Sequence, residues 1–350
     1  MSKKLKYAVV GCSNFGKAHL NGLVAMPDVE IVALCDVHMD ICEERKQEYK
    51  LNANCYNDHR EMLKNEEIDI VTVATSDKAH THITIDALEA GCHVMCEKPM
   101  ALFTEECEKM VETADRCGKL LMVGQVCRYA PGFVKAKELV EKGIIGELYF
   151  VESEYAHDYF GREGVDNWRA DKDREPIIGG ACHAIDLLRW IAGDPVETMA
   201  YSNHKMLTKW PVNDTTVAIL KFPNDVIGKV FTSIGCKRDY TMRTVLYGTK
   251  GTIIVNNTDP YLELFLEKID GAPFAAGQLA DITEKVVKHS IPVSINNHNV
   301  AMEHQHMKEA VLEGKPLITT GREGARTITV CRAVVESAKC GMPVKITYTV

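Results

Sequence analysis

A Glu97-Lys98-Pro99 turn closes the apolar run Val94-Met95-Cys96 and puts an ammonium where a predicted strand ends. Upstream lie a glycine loop, Gly11-Cys12-Ser13-Asn14-Phe15-Gly16, and then an acid, Asp36. In that order, phosphate loop, ribose acid and strand-end lysine describe a dinucleotide site with a cation beside its reactive end, the layout hydride chemistry needs. Gly11 suits the tight turn and Gly16 the close packing of helix on strand, while Ser13 stands where the usual fingerprint has its second glycine. Serine is small enough to let pyrophosphate approach, and its hydroxyl can donate to a phosphate. Asn14 and Phe15 complete the loop at a helix N-terminus, whose dipole and free N–H groups favour an anion. Glycine pairs also occur by chance; the strand-loop-helix setting is what selects the phosphate reading.

Asp36 ends the second predicted strand, where a carboxylate accepts from the ribose hydroxyls of NAD and repels the extra phosphate of NADP. Neither Val37 nor His38 offers that phosphate an arginine. NAD is therefore expected ahead of NADP, the alternative for Asp36 being a plain turn cap. Pro99 fixes the chain after Lys98 and biases Lys98 towards an extended backbone. Its ammonium can then donate to a substrate hydroxyl and stabilise alkoxide charge.

The elements that must position these groups alternate strand and helix. Strands are expected at 7–10, 29–35, 68–74, 94–96 and 120–123, with helices at 14–24, 39–49, 81–90 and 104–116 between them. Asp58 with Glu61 forms a capping-box signature before a further short helix. Apolar strands without alternation are buried on both faces, and strands separated by helices run parallel. The fold class is α/β: a doubly wound parallel sheet, the dinucleotide-binding domain, over 1–125, followed by an α+β substrate and oligomerisation domain with a mostly antiparallel open sheet over 126–350. In that second unit a helix is expected at 131–141, a strand at 149–155, a helix at 183–191 and strands at 215–222, 226–234, 243–247 and 252–255. Helices at 298–313 and 323–339 and a strand at 344–350 follow. Phe222-Pro223-Asn224-Asp225-Val226 reads as a hairpin.

Composition excludes several classes. With 350 residues, 46% of them hydrophobic, the chain can bury a large core, and its length favours two domains. A formal net charge of -8, without any basic run, argues against nucleic acid. No stretch is long and apolar enough for a membrane, and Met1-Ser2-Lys3-Lys4 runs straight into a strand, so a cytoplasmic protein without a signal peptide is expected. Thirteen cysteines scattered through predicted elements read as reduced thiols. Cys92-His93-Val94-Met95-Cys96 and the Glu303, His304, His306 group look metal-like. The two thiols are separated along an extended strand, and the two histidines are two apart on a helix, so no metal is expected. Met95, Met100, Met110 and Met122 read as core filler.

The series Gly11-x-Ser13-x-x-Gly16-x-x-His19, Asp36, Glu97-Lys98-Pro99, Trp168-Arg169 and Gly179-Gly180-Ala181-Cys182-His183-Ala184-Ile185-Asp186 resembles the glucose-fructose oxidoreductase, inositol dehydrogenase and rhizopine-catabolism (Gfo/Idh/MocA) family. The resemblance extends to Gly321-Arg322-Glu323-Gly324-Ala325 and Ser337-Ala338-Lys339-Cys340-Gly341. It implies NAD(P)-dependent oxidation or reduction of a sugar, cyclitol or glycoside alcohol. Lys98 matches the family lysine, and His183 the histidine that exchanges a proton with the substrate hydroxyl. Trp168, Arg169 and Glu97 match positions around the cofactor, and His80 a position after the strand whose end, at Thr75, passes the nicotinamide ribose. Taken alone, His183 reads first as a packed histidine satisfied by a carbonyl, and it is the resemblance that reverses the order.

One departure stands out. Many relatives carry an aspartate four residues before the histidine, where this chain has Gly179, a change that opens space for a bulkier substrate. Asp186 lies on the His183 face and can orient the imidazole or serve the helix start. Arg128, Tyr155, His157, Asp158 and Trp168 are candidates for the substrate wall, or the rim of an interdomain groove. Alternative readings are an NAD-dependent, redox-neutral glycoside-cleaving enzyme and a non-catalytic dinucleotide-binding regulator. The expected partners are a small-molecule substrate and further copies of the chain, joined through the second sheet.

Overall fold

The computed structural model describes residues 4–163, 165–267, 286–295 and 298–350. Residues 1–3, at the start read above for a signal, lie outside them. Six strands form the first sheet: β1 (Leu5–Val10), β2 (Val29–Cys35), β3 (Asn54–Tyr56), β4 (Ile70–Val73), β5 (His93–Cys96) and β6 (Leu121–Val123). All pair in parallel, in the order β3-β2-β1-β4-β5-β6. The crossovers are α1 (Asn14–Val24), α2 (Met39–Glu48), α3 (His59–Asn65), α4 (His80–Glu89) and α5 (Thr104–Cys117). Because helices cover both faces, Val9, Val71, Val94 and Met95 are fully buried, which is why these strands lack alternation. Strand order reverses between β1 and β4, and a crevice opens beyond their carboxyl ends.

The remaining helices are α6 (Pro131–Glu141), α7 (Pro176–Gly179), α8 (Cys182–Ala192), α9 (Val300–Glu313) and α10 (Gly321–Cys340). A second sheet comprises β7 (Leu148–Ala156), β8 (Glu197–Asn203), β9 (Thr215–Lys221), β10 (Ile227–Ser233), β11 (Arg243–Gly248), β12 (Gly251–Asn256), β13 (Tyr261–Glu267), β14 (Val286–Pro292) and β15 (Val344–Lys345). Their order is β14-β13-β12-β11-β7-β10-β9-β8-β15, and all pairs are antiparallel except β7 with β10. The expected hairpin forms between β9 and β10: Phe222 N–H donates to Val226 O at 3.0 Å. Along β9, Thr216, Ala218 and Leu220 face the helices, while Val217 and Ile219 face out. This α/β architecture is the one expected.

Several elements differ from the sequence reading. The short β3 has no apolar run, and β8, β13 and β14 were not foreseen, because half-exposed strands mix polar with apolar residues. Asp58 caps α3, but it accepts from Arg60 N–H at 2.8 Å rather than from Glu61 as a capping box would require. Met95, Met100, Met110 and Met122 are buried as expected. All thirteen cysteines are unpaired. Among the described residues no group of side chains could hold a metal and no helix is long and apolar enough to cross a membrane.

The two sheets are joined through helices. The edge strand β6 is covered by the segment entering α10, where Val123 N–H donates to Thr319 O at 2.8 Å. Gly22 lets α1 lie against Ala301 of α9. The crevice beyond β1, β4 and β5 therefore faces residues of the second unit.

Candidate active site

The glycine loop leaves β1 at Gly11 with φ of +89°, and a Cβ there would stand 2.5 Å from Ala74 O. At Gly16 a Cβ would fall 1.9 Å from Gly11 O. Both positions therefore require glycine: one for the left-handed turn, the other so that α1 can start against the loop. Ser13 is the N-cap residue of α1, and its side chain makes no capping bond. Asn14 is exposed, and Phe15 packs edge-on against His19 and His298. Asp36 holds the loop: one carboxylate oxygen accepts from Cys12 N–H at 2.8 Å and the other from His38 N–H at 3.0 Å. Arg45 donates to Cys12 O, but its charge is taken up by Glu44 and Glu48.

At the end of β5, Glu97 and Lys98 turn to opposite sides. Glu97 accepts from the Lys98 N–H at 3.1 Å, and its other oxygen meets His19 Nε2 at 3.0 Å. His19 Nδ1 in turn meets His304 Nε2 at 3.0 Å. Burial works against charge on Glu97, yet the His19 bond and the Lys98 charge keep its carboxyl below the usual range. Glu97 thus braces the turn from behind. Neighbouring Glu303 is fully buried with both oxygens unpartnered among the described residues; burial, with Glu97 adding to it, holds its carboxyl well above the usual range.

The Lys98–Pro99 peptide bond is cis. Lys98 Nζ donates to Gly179 O at 3.5 Å, across the crevice. His80 ties the turn to the Thr75 loop, with Nδ1 2.9 Å from Pro99 O and Nε2 3.2 Å from Thr75 O. Both partners are carbonyls, so both bonds form only when the ring carries two protons. Burial opposes that charge, but Cys96, Asp77 and the Pro99 carbonyl outweigh it and raise the pKa to about 10.

His183 sits in the first turn of α8, fully buried, and neither ring nitrogen has a hydrogen-bond partner among the described residues. Burial pushes its pKa well below the ordinary range, with Lys98 and His298 adding to the effect. A neutral imidazole beside an ammonium is a base waiting for a proton. Tyr155 stacks on it, ring centroids 6.4 Å apart, because Gly180 leaves room: a Cβ there would lie 2.5 Å from the Tyr155 ring. Tyr155 OH bonds Tyr159 OH at 2.8 Å, and His157 bonds Tyr155 OH and Arg162. His157 is pushed down to about 4 by burial, then by Arg162 and Arg169. Asp158 sits at the rim, paired with Lys237 at 2.9 Å.

Two expected substrate residues are engaged elsewhere. Arg128 and Asp186 form a buried two-point pair at 2.7 and 2.8 Å, extended by Glu323 and by Thr327 Oγ1. Asp186 makes no bond to His183, so the orienting role considered for it is not formed; the pair, with Glu323 and Thr327, instead ties the turn at 126–129 and α8 to α10. Nor is the space at Gly179 open. A Cβ there would lie 2.3 Å from the guanidinium carbon of Arg174. Arg174 donates from Nε to Asp77 at 2.5 Å and from Nη2 to Gly179 O at 3.0 Å. Trp168 lies against both cations, with the Arg169 and Arg174 guanidinium carbons at 4.3 and 4.8 Å from its ring centroid. The two guanidiniums, at most about 9 Å apart, repel by at least about 2 kcal/mol at an effective dielectric of about 20.

Tyr240, His298, Arg174, Asp77, His19 and His304 were not foreseen as neighbours of the site. Tyr240 stacks on His298 at 6.3 Å and tilts against His157 at 4.6 Å. Only His19, three residues after Gly16, carried a readable signal, through its place in the quoted motif.

A parallel sheet with a glycine-cradled crevice, faced by a lysine and a neutral histidine, is the arrangement of a dinucleotide-binding fold. Residues 5–125 match an oxidoreductase family with an NAD-binding Rossmann fold, Gfo/Idh/MocA, and residues 133–254 match the GFO/IDH/MocA C-terminal domain. The chain belongs to the Gfo/Idh/MocA family of NAD-binding oxidoreductases. D-glucoside 3-dehydrogenase of Escherichia coli is 32% identical over 200 residues, covering 55% of this chain and 56% of that protein. Myo-inositol 2-dehydrogenase of Thermotoga maritima is 26% identical over 263 residues, covering 72% and 75%. Levoglucosan dehydrogenase in complex with NADH and L-sorbose superposes with a TM-score of 0.86 at 22% identity, covering 99% of each chain.

Proposed function

We propose that the protein is an NAD-dependent oxidoreductase that moves a hydride between nicotinamide and a secondary alcohol of a sugar, cyclitol or glycoside. The observation that carries this reading is the buried, neutral imidazole of His183, without a hydrogen-bond partner among the described residues, on the segment whose Gly179 carbonyl receives Lys98 Nζ. The activities named for the relatives, on inositol and on D-glucosides, support the substrate class.

The residues present fit the cofactor, since Gly11 and Gly16 leave a cradle that a Cβ would fill. When bound, the nicotinamide supplies the acceptor for the hydride leaving the carbinol carbon. Gly11, Ser13, Asn14, Phe15 and Gly16 present the α1 N-terminus to pyrophosphate. Asp36 faces the adenosine ribose and favours NAD over NADP; the nearby Arg45, already paired with two glutamates, does not offset it. His80 holds the Thr75 loop and the lysine turn in one register, and Trp168 with Arg169 closes over the cofactor side. Lys98 donates to the substrate oxygen, and a His183 ring nitrogen takes the hydroxyl proton, so the alcohol becomes a ketone as two electrons leave with the hydride. Tyr155, His157 and Asp158 line the sugar side. Copies of the chain associate through the open face of the second sheet, which exposes Tyr149, Tyr201, Val217, Ile219 and Ile227.

Incubation with NAD and a panel of inositols, sugars and glycosides, following reduced nicotinamide and the keto product, tests the reading. Lys98→Ala and His183→Ala should each lower kcat by roughly 100- to 10,000-fold. Near-normal turnover in both variants would sink it.

A further inference from the structure

Resting on the oxidoreductase reading, one feature of the crevice narrows the substrate class. The place that glycine leaves at position 179 is filled by a cation. Arg174 is nearly fully buried, its Nη2 shares the Gly179 carbonyl with Lys98 Nζ, and its Nη1 has no hydrogen-bond partner among the described residues. Arg169, half-buried over the same tryptophan, has no carboxylate partner among the described residues. Against these three cations stand Asp77, bonded to Arg174, and Glu97, turned away towards His19. A chain of net charge -8 has thus gathered positive charge at its reactive crevice. Like charges held together in a partly desolvated site are relieved by an anion, and a guanidinium edge matches the two oxygens of a carboxylate.

We infer that the site selects a polyol bearing a carboxylate, a sugar acid or the glycoside of one, with Arg174 as the residue that determines this specificity. Arg174 receives the carboxylate while Lys98 and His183 handle the hydroxyl that reacts.

The test compares matched pairs on the intact enzyme with NAD: D-glucose with D-glucuronate, D-galactose with D-galacturonate, and methyl β-D-glucoside with methyl β-D-glucuronide. Each compound is also titrated calorimetrically into the enzyme loaded with NADH. The expected result is at least a tenfold higher kcat/KM for the acid in one or more pairs, carried by KM and weakened by salt. Asp77→Asn/Arg174→Met, which removes both partners so that no lone charge stays buried, should abolish the preference without changing the Kd for NAD. Arg174→Lys keeps the charge and should retain part of the preference, so the test does not depend on the double variant folding. Neutral members used as well as the acids in every pair would overturn the inference and leave the oxidoreductase reading intact. Tenfold weaker NAD binding in the double variant would also overturn it, by assigning the guanidinium to the cofactor's pyrophosphate. Acids that bind the NADH-loaded enzyme more tightly than their neutral partners, with no compound oxidised, would uphold the inference while defeating the oxidoreductase reading.

Discussion

Two glycine-bearing segments meet at the crevice and use glycine differently. At Gly11 and Gly16 the missing Cβ brings backbone against backbone, since the nearest atoms are Ala74 O and Gly11 O. At Gly179 and Gly180 it admits side chains, Arg174 and Tyr155. The first arrangement depends on residues near in sequence or on the adjoining parallel strand, so the motif announces it. The second depends on which side chain the fold turns into the gap, Arg174 of the same segment at Gly179 and Tyr155 of β7 at Gly180. A sequence motif therefore announces a contact of backbone with backbone but not the side chain that fills a gap.

Breaking the first segment should have the largest effect on cofactor affinity. Gly16→Ala forces a Cβ to within 1.9 Å of a carbonyl that cannot move without the loop, and NAD binding should weaken by on the order of 100-fold, about 2.7 kcal/mol, by titration calorimetry. An NAD affinity within twofold of the parent would mean that this backbone contact does not shape the phosphate cradle. Gly179→Ala meets a side chain instead. Displacing Arg174 strips Asp77 of its buried partner, so urea unfolding should show a loss of about 3 kcal/mol with NAD affinity nearly unchanged. Equal damage to NAD binding in the two alanine variants would erase the contrast.

A smaller effect sharpens the other side of the lysine turn. Glu303 has its folded pKa raised by burial above the unfolded value of about 4.3. The folded state therefore binds more protons than the unfolded one as pH rises above that value, and stability falls with increasing pH. Glu303→Gln removes this loss. It should raise the melting temperature at pH 8 by a few degrees, roughly 1 kcal/mol, and by less at pH 5. A larger gain at pH 5 would contradict a protonated buried acid.

The smallest expected change lies in the pH profile. Because His183 is held well below its ordinary range by burial, by Lys98 and by His298, the acidic limb of kcat/KM should fall below about pH 6.5. Lys98→Met, by removing one of those causes, should move that limb upward, if residual activity is followed with single-turnover mixing. An unmoved limb would assign the titration to another group.

Much of the fold was legible because parallel strands buried on both faces must be continuously apolar, and helices between them must cross over. The strands β8, β13 and β14 were not, since a half-exposed antiparallel strand keeps its polar face and sheds the signal. At the site, Lys98 and His183 stood out through motif and strand-end position, whereas Arg128 and Asp186 looked available until the fold paired them with each other and with Glu323. Arg174 carried no pattern at all: its side chain is held at the gap by a bond to Asp77, 97 positions away.

By itself the sequence determined the parallel sheet, the glycine cradle, the acid at Asp36 and the lysine at the end of β5, because strand periodicity and turn sterics act between near neighbours. Only the tertiary structure decided that His183 stays neutral, that Glu97 faces His19 rather than the crevice, and that a guanidinium fills the gap at Gly179. Burial and Coulomb interaction depend on what surrounds a group in three dimensions, and those surroundings come from segments far apart in the chain.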